Sequence, residues 1–317
     1  MPQSLNEALE KLVYGLHRED MAKNAQTLSE RYRTLNGTGS RLVTGEAEAL
    51  AYAASRMPAT FCAVHDALEQ ALAPLTSMPR TMMDVGAGTG AASWAAEAIL
   101  KLDSALCLER EEAMRRTGQA LMQAGPPALA KAVWLERDIC TDTLCERAEL
   151  VIMAYVLNEL KDGMRAEAVT KLWNAAESLL VIVEPGTPAG YRNLMEARRQ
   201  LLSMGAHIAA PCPHERECPM PEGDWCHFAC RVPRSQLHRV LKGGQAPYED
   251  EKYAYMAFSR EACRPVQNRV LRHPQIRTGH VMAALCREAG IHTRTVSKKD
   301  GALYKLLRGL KAGDGFS

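Results

Sequence analysis

The chain has 317 residues, 47% of them hydrophobic and 24% charged, with a formal net charge of +2; this is an ordinary globular composition for one or two domains and argues against a disordered or fibrous chain. The longest apolar runs, "AELVIMAYVL" and "ESLLVIVEP", are too short to cross a bilayer, and the opening "MPQSLNEALEKLVYGLHRED" has neither the charged-then-apolar order of a signal peptide nor the acid-poor texture of a transit peptide. A cytoplasmic protein without a membrane partner is expected, and in that reducing setting ten cysteines predict metal binding or burial rather than a disulfide framework.

In chain order, residues 1–79 read as a helical region: "SLNEALEKLVYGLH", "TGEAEALAYAASRM" and "TFCAVHDALEQALAPL" place apolar residues three and four apart. Thr44, followed by Glu46 and Glu48, predicts an N-cap with acids in the first helical turn. Over 80–205 short strands alternate with helical segments. The strands are "TMMDVGAGTG", "ALCLER", "AVWLERDI", "AELVIMAYVL" and "SLLVIVEPGTPAG", a cadence that predicts an α/β, doubly wound Rossmann-like parallel sheet. Residues 206–317 then form a cysteine-rich, basic element, packed on the sheet and completing it. Here "KYAYMAFSR" and "IHTRTVSKKDGALYKLLRG" suggest antiparallel strands and a terminal hairpin, and "HVMAALCREAG" a short helix ending at Gly290.

The loop "DVGAGTG" follows an apolar strand and precedes a helix, so Asp84, Gly86, Gly88 and Gly90 mark the place where backbone approaches a nucleotide-like cofactor. Glu109, ending the second strand, is placed to accept from ribose hydroxyls, and Asp138, ending the third, to meet an adenine edge. S-adenosylmethionine suits both, while a nicotinamide dinucleotide would use the same loop and a similar acid. At the carboxyl end of the fourth strand "AYVLNEL" presents Tyr155, Asn158 and Glu159 beside the cofactor's reactive end, and Glu184 closes the fifth. These four are the catalytic candidates, although the Asn/Asp-Pro-Pro-aromatic pattern of amino-methylating enzymes is missing.

Cys62, Cys107, Cys140 and Cys145 lie in apolar company, as buried free thiols do. The stretch "APCPHERECPMPEGDWCHFAC" is different: Cys212, Cys218, Cys226 and Cys230 share one proline-broken loop that needs a fastener. Their spacing is wider than the usual zinc pairs and suits an iron–sulfur cluster, with zinc or plain burial as alternatives and His214 and His227 as possible zinc ligands. From Arg260 to Lys311 twelve cations face three acids, a tail fit for a polyanion.

Taken together, "YAASRMPATFCAV", "DVGAGTG", "AYVLNEL", "VIVEPGTPAG", "APCPHERECP" with "DWCHF", "RTGHVMAALCREAG" and "YKLLRGLKAGD" resemble the methyltransferase-like small-ribosomal-subunit proteins, the Rsm group of mitochondrial ribosome assembly factors and their bacterial relatives. The resemblance implies a class I S-adenosylmethionine methyltransferase fold and a [4Fe–4S] cluster on Cys212, Cys218, Cys226 and Cys286, with Cys230 the fallback ligand. It also implies work on the small ribosomal subunit and its ribosomal RNA, whether by methyl transfer or as a non-catalytic assembly factor; a monomer is expected. Arg269, Arg272, Arg277, Lys298, Lys299 and Lys305 would then contact phosphate.

Overall fold

The computed structural model describes residues 1–34, 37–242 and 244–317. Four helices come first: α1 (Gln3–Leu12), α2 (Arg18–Thr34), α3 (Glu46–Ser55) and α4 (Met57–Leu72). α4 starts with Pro58 in its first turn and buries Met57, Phe61, Val64, Leu68 and Leu72 along one stripe. α2 left little periodicity to read, because Met21 and Leu28, its two core residues, stand seven positions apart. The cap of α3 falls one residue later than expected, on Gly45. Thr44 instead donates its amide (2.9 Å) and hydroxyl (3.1 Å) to Glu48, which also pairs with Arg31.

The α/β region then runs β1 (Thr81–Val85), α5 (Ala91–Ile99), β2 (Ser104–Leu108), α6 (Glu112–Met122), α7 (Pro127–Ala130), β3 (Val133–Leu135), β4 (Ala148–Ala154), α8 (Asp162–Ala175), β5 (Ala176–Pro185), α9 (Pro188–Ser203) and β6 (His207–Ala210). β7 (Phe228–Pro233), α10 (Gln236–Leu241) and β8 (Tyr248–Ser259) follow. The sheet order is β3-β2-β1-β4-β5-β8-β6, with β7 also on β8. The first five strands are parallel; β8 enters antiparallel between β5 and β6. This is a doubly wound, Rossmann-like sheet.

The two central strands are apolar on both faces because both faces are covered. Leu150 and Ile152 point into one core with Val181, Val183 and Trp94. Val151 and Met153 point into the other with Leu180, Ile182 and Trp173.

A second, five-stranded sheet follows, built from β9 (Asn268–Val270), β10 (Gln275–Arg277), β11 (His280–Arg287), β12 (Gly290–Ser297) and β13 (Gly315–Phe316). Two expectations are corrected here. The segment read as a helix before Gly290 is strand β11: Val281, Ala283 and Leu285 are buried while His280, Met282 and Ala284 are partly open, a period of two that stops at buried Cys286. Its Ala, Met and Leu residues carry helical propensity, but pairing with β9, β10 and β12 decides the outcome. The terminal hairpin is also absent. After β12 a 3-10 turn over Lys298–Asp300, closed by a Ser297–Asp300 capping box, leads into helix α11 (Ala302–Gly309). Tyr304 and Leu307, three apart on α11, pack on Val270, Val281, Leu285 and Val296.

Candidate functional site

The turn after β1 is shaped by its glycines. Gly86, Gly88 and Gly90 have φ of 73°, 57° and 83°, the left-handed region that other residues enter at a cost. A Cβ on Gly86 would also meet Val156 Cγ2 at 2.5 Å. The amides of Gly86 and Ala87 donate to the Leu108 carbonyl, so the loop folds back over the end of β2. Glu109 lies there, 7% exposed, with its carboxylate accepting from Gly88 N and Glu111 N, each at 2.8 Å. Burial raises its pKa while these amides draw it back.

Gly86, Gly88, Glu109, Asp138, Tyr155 and Glu159 all line one cleft. Asp138 accepts from Cys140 N and pairs with Arg110 at 3.3 Å. Tyr155, at the end of β4, has φ 62°, a conformation that a bulky side chain holds only under constraint; its hydroxyl donates to Glu251 at 3.0 Å. Burial, then the charge of Glu109, pushes Glu159 up to about 8.

Four residues of the expected set stand behind the cleft wall. Asp84 is 1% exposed and its carboxylate accepts from Ser93 N (3.1 Å) and Oγ (2.8 Å), fixing α5 against β1; burial lifts it to about 7. Gly90 caps α5. Asn158 sits in the loop after β4, outside the lining. Glu184 is fully buried and pushed up to about 8 by burial and then by Glu159.

Sequence reasoning missed the cleft's cover. Tyr32 and Tyr52, from α2 and α3, line it with ring centroids 5.9 Å apart. Arg110 reaches the carbonyls of Gly39 (3.4 Å) and Ser40 (2.9 Å), and Gly39 N donates to Glu159 O. No local pattern marks these residues, because their roles come from helices folded back over the sheet. Among the lining groups Glu109, Glu111, Asp138 and Glu159 outnumber Arg110 and Arg137. Glu159, pushed up to about 8, holds its proton at neutral pH, so the remaining acids and the two arginines come close to balance.

The second site is a cavity lined by Cys212, Cys218, Cys226 and Cys286 together with Tyr191 and Arg269. Three of the thiols come from the loop between β6 and β7, and the fourth from strand β11 of the second sheet. Tyr191 Oη lies 3.3 Å from Cys218 Sγ, and His214 Nε2 3.9 Å from Cys286 Sγ. Burial raises Cys212, Cys226 and Cys286 as thiols, and neighbouring sulfur charge raises them further.

Two guanidinium groups are buried beside them. Arg198 is 4% and Arg269 2% exposed; they donate to the carbonyls of His214 and Arg216, and of Pro211 and Gly313. Neither has a carboxylate partner among the described residues. A buried cation needs a counter-charge, and both lower the Cys212 pKa, so this donor set suits thiolates. Among the described residues, the one trio of ligand atoms within 4.8 Å of one another is His65, Asp66 and Glu69. No three of the cysteine sulfurs of this cavity fall within that distance of one another. Cys230 lies elsewhere, buried on β7 against α4, and Cys263 donates to Ile208 O.

The basic tail divides. Arg269 is a correction: an interior residue bonded to Pro211, Gly313 and Gln70 is not free for phosphate. Arg272 pairs with Asp224 at 2.6 Å and holds the cysteine loop. Arg277, Lys298, Lys299 and Lys305 are exposed on the second sheet and its flanking turn and helix, with Arg287, Arg294 and Arg308.

Comparison with known proteins places this geometry. The human protein "Ribosome assembly protein METTL17, mitochondrial" is 29% identical over 295 residues, covering 85% of this chain and 62% of its own length. A fission-yeast (Schizosaccharomyces pombe) protein, "Rsm22-cox11 tandem protein 2, mitochondrial", is 27% identical over 216 residues, 53% of this chain and 29% of its own. The chain thus spans less than two thirds of these relatives. Among solved structures, magnesium protoporphyrin IX methyltransferase from Synechocystis PCC 6803 with bound SAM aligns over 78% of this chain and 99% of that one (TM-score 0.44, 14% identity). A putative RNA methyltransferase from Pyrococcus horikoshii aligns over 62% and 83% (TM-score 0.41, 13% identity). The profile described as "Mitochondrial small ribosomal subunit Rsm22" matches residues 46–317, and the chain belongs to that family.

Proposed function

We infer that this protein binds S-adenosylmethionine in the cleft over β1, β2 and β4 and serves the small ribosomal subunit during its assembly, in the cytoplasm, as a methyltransferase-like factor. The observation that carries the cofactor reading is Glu109: a buried carboxylate oriented by two amides at the edge of a glycine-floored cleft is placed to take ribose hydroxyls. Asp138 would face the adenine. Tyr155 and Glu159 would stand at the methyl end, where transfer needs alignment of an acceptor more than a strong base. The partner reading rests on family membership and on the exposed cations of the second sheet, which would hold ribosomal RNA through phosphates.

The cysteine-lined cavity fits a metal–thiolate group, and we assign it a [4Fe–4S] cluster on Cys212, Cys218, Cys226 and Cys286. The wide sequence spacing of these cysteines supports that choice over zinc. Such a group would bring redox-active iron into the fold and tie the proline-rich loop to the second sheet.

A non-catalytic assembly factor is the second reading, and one observation favours it. The segment Gly39–Ser40 is bonded across the cleft to Arg110 and Glu159, narrowing the approach for an acceptor base. The deciding experiment has two arms. Calorimetry should show S-adenosylmethionine binding and no nicotinamide binding, with loss of binding in Glu109→Ala; the reverse result overturns the cofactor assignment. Iron and acid-labile sulfide should each be about four per chain after oxygen-free purification and fall in Cys212→Ser, whereas zinc at about one per chain would replace the cluster. Ribosomal RNA that keeps all its methyl groups in a strain lacking the gene would leave the assembly role alone standing.

A further inference from the structure

We propose that Cys62 is a peroxide-reactive thiol resolved by Cys230, so that oxidation joins α4 to β7 by a disulfide. Neither residue belongs to the cofactor cleft or to the cavity lined by the other four cysteines. Cys62 opens onto a separate groove bordered by α1, α4, β7 and α10, which Leu9, His65, Val232 and His238 also line. It is half-buried, while Cys230 behind it is 4% exposed and faces the core between Phe228 and Val232.

Cys62 packs against the core cluster that holds Cys230, where α4 meets β7, and Cys62 Sγ lies 3.6 Å from the carbonyl oxygen of Arg231, the residue next to Cys230. The two thiols differ in acidity. Cys62 is held below the ordinary thiol value, chiefly by Cys230 and against the pull of burial and Asp66. Cys230 is pushed far above it, first by Cys62 and then by burial. A solvent-reachable thiol of lowered pKa in front of a protonated, buried partner is the arrangement that separates attacking from resolving sulfur.

With hydrogen peroxide as oxidant the chemistry closes. The Cys62 thiolate attacks one peroxide oxygen and becomes a sulfenic acid; the O–O bond breaks, and the departing hydroxide takes up the proton Cys62 had lost and leaves as water. The Cys230 sulfur then displaces the sulfenic hydroxyl, which departs as a second water with the Cys230 proton. Each sulfur gives up one electron, and peroxide accepts both.

The test uses the full chain, purified without oxygen and with its metal, then exposed to peroxide, quenched with iodoacetamide and digested without reduction. Mass spectrometry should find the Cys62 and Cys230 peptides joined. Alkylation of Cys62 should fall by at least about tenfold while the exposed Cys145 stays available, and dithiothreitol should reverse the change. In Cys230→Ser the Cys62 sulfenic acid should persist and be captured by dimedone; in Cys62→Ser, Cys230 should stay reduced. A wild-type Cys62 that remains alkylatable at a dose that oxidises Cys145, or that pairs with any other cysteine, overturns the proposal. Because the wild-type peptide pattern decides by itself, a variant that fails to fold does not rescue it.

Discussion

Arg269→Met tests whether the cysteine-lined cavity is anionic. The side chain is interior, with Nε 2.7 Å from Pro211 O, Nη1 2.7 Å from Gly313 O and a third bond to Gln70 Oε1, so the substitution strands two backbone carbonyls at about 1–3 kcal/mol each and frees the Gln70 side chain. It also removes a buried charge. With neutral thiols that removal is a relief, and the net loss in metal-free protein should be about 2 kcal/mol. With thiolates in place the guanidinium is a counter-ion, and even at a separation of about 8 Å and an effective dielectric of 20 each thiolate charge is worth roughly 2 kcal/mol. A [4Fe–4S] group with its four thiolates carries a net charge of about −2, so metal-loaded protein should lose roughly 4 kcal/mol more than metal-free protein. Urea unfolding of both forms, without oxygen, measures the difference, and Arg269→Lys should recover most of the charge contribution but not the carbonyl bonds. Equal losses in the two forms would refute the argument, because the guanidinium would then be sensing no anion.

Gly86→Ala puts a Cβ 2.5 Å from Val156 Cγ2 at φ 73°; it should cost about 1–3 kcal/mol by thermal melting and abolish S-adenosylmethionine binding by calorimetry. Gly88→Ala meets only Met114 Cε at 3.4 Å and should weaken binding more than it weakens the fold. Stability should also fall as pH rises. Glu184 is raised from its ordinary 4.5 to about 8, so the folded state holds a proton that the unfolded chain has lost. Its contribution is complete below about pH 4.5 and declines by up to about 1.4 kcal/mol per pH unit until about pH 8. Denaturant titrations of Glu184→Gln should lack that part of the slope. Lys298→Glu with Lys299→Glu should weaken small-subunit RNA binding and flatten its dependence on log salt by about one unit or more, leaving cofactor binding unchanged.

The sheet was legible because its strands announce themselves twice, by apolar runs and by acids or glycines at their ends. "TMMDVGAGTG" and "CLER" place Gly86, Gly88 and Glu109 on one cleft wall without any knowledge of long-range contacts. The second sheet was harder. In β11 the alternation of Val281, Ala283 and Leu285 is hidden among Ala284, Met282 and Cys286, residues compatible with either period, and only the partner strands settle it. Arg269 shows the opposite failure. Charge counting treats every arginine in a basic segment alike, yet this one is interior because the carbonyls of Pro211 and Gly313 converge on it. Tyr32 and Arg110 depend on tertiary contacts that no window of sequence contains.

The antiparallel insertion of β8 between β5 and β6 sets an order of events for a chain made from its N-terminus. β1 to β5 can pair as they emerge, but Leu179, Val181 and Val183 then sit on an open edge until Tyr255, Ala257 and Ser259 arrive to close it. An uncovered apolar edge is the part of a nascent sheet most open to wrong pairing. The thiol set is finished later still, because Cys286 belongs to β11 and closes a cavity whose other three sulfurs were made long before. Translation that stalls before β8 leaves a sticky half-sheet, and translation that stalls between β8 and β11 leaves a sealed sheet with three waiting sulfurs. The two kinds of truncated chain would differ in solubility and in metal content, so the history of a failed synthesis is written in the product it leaves.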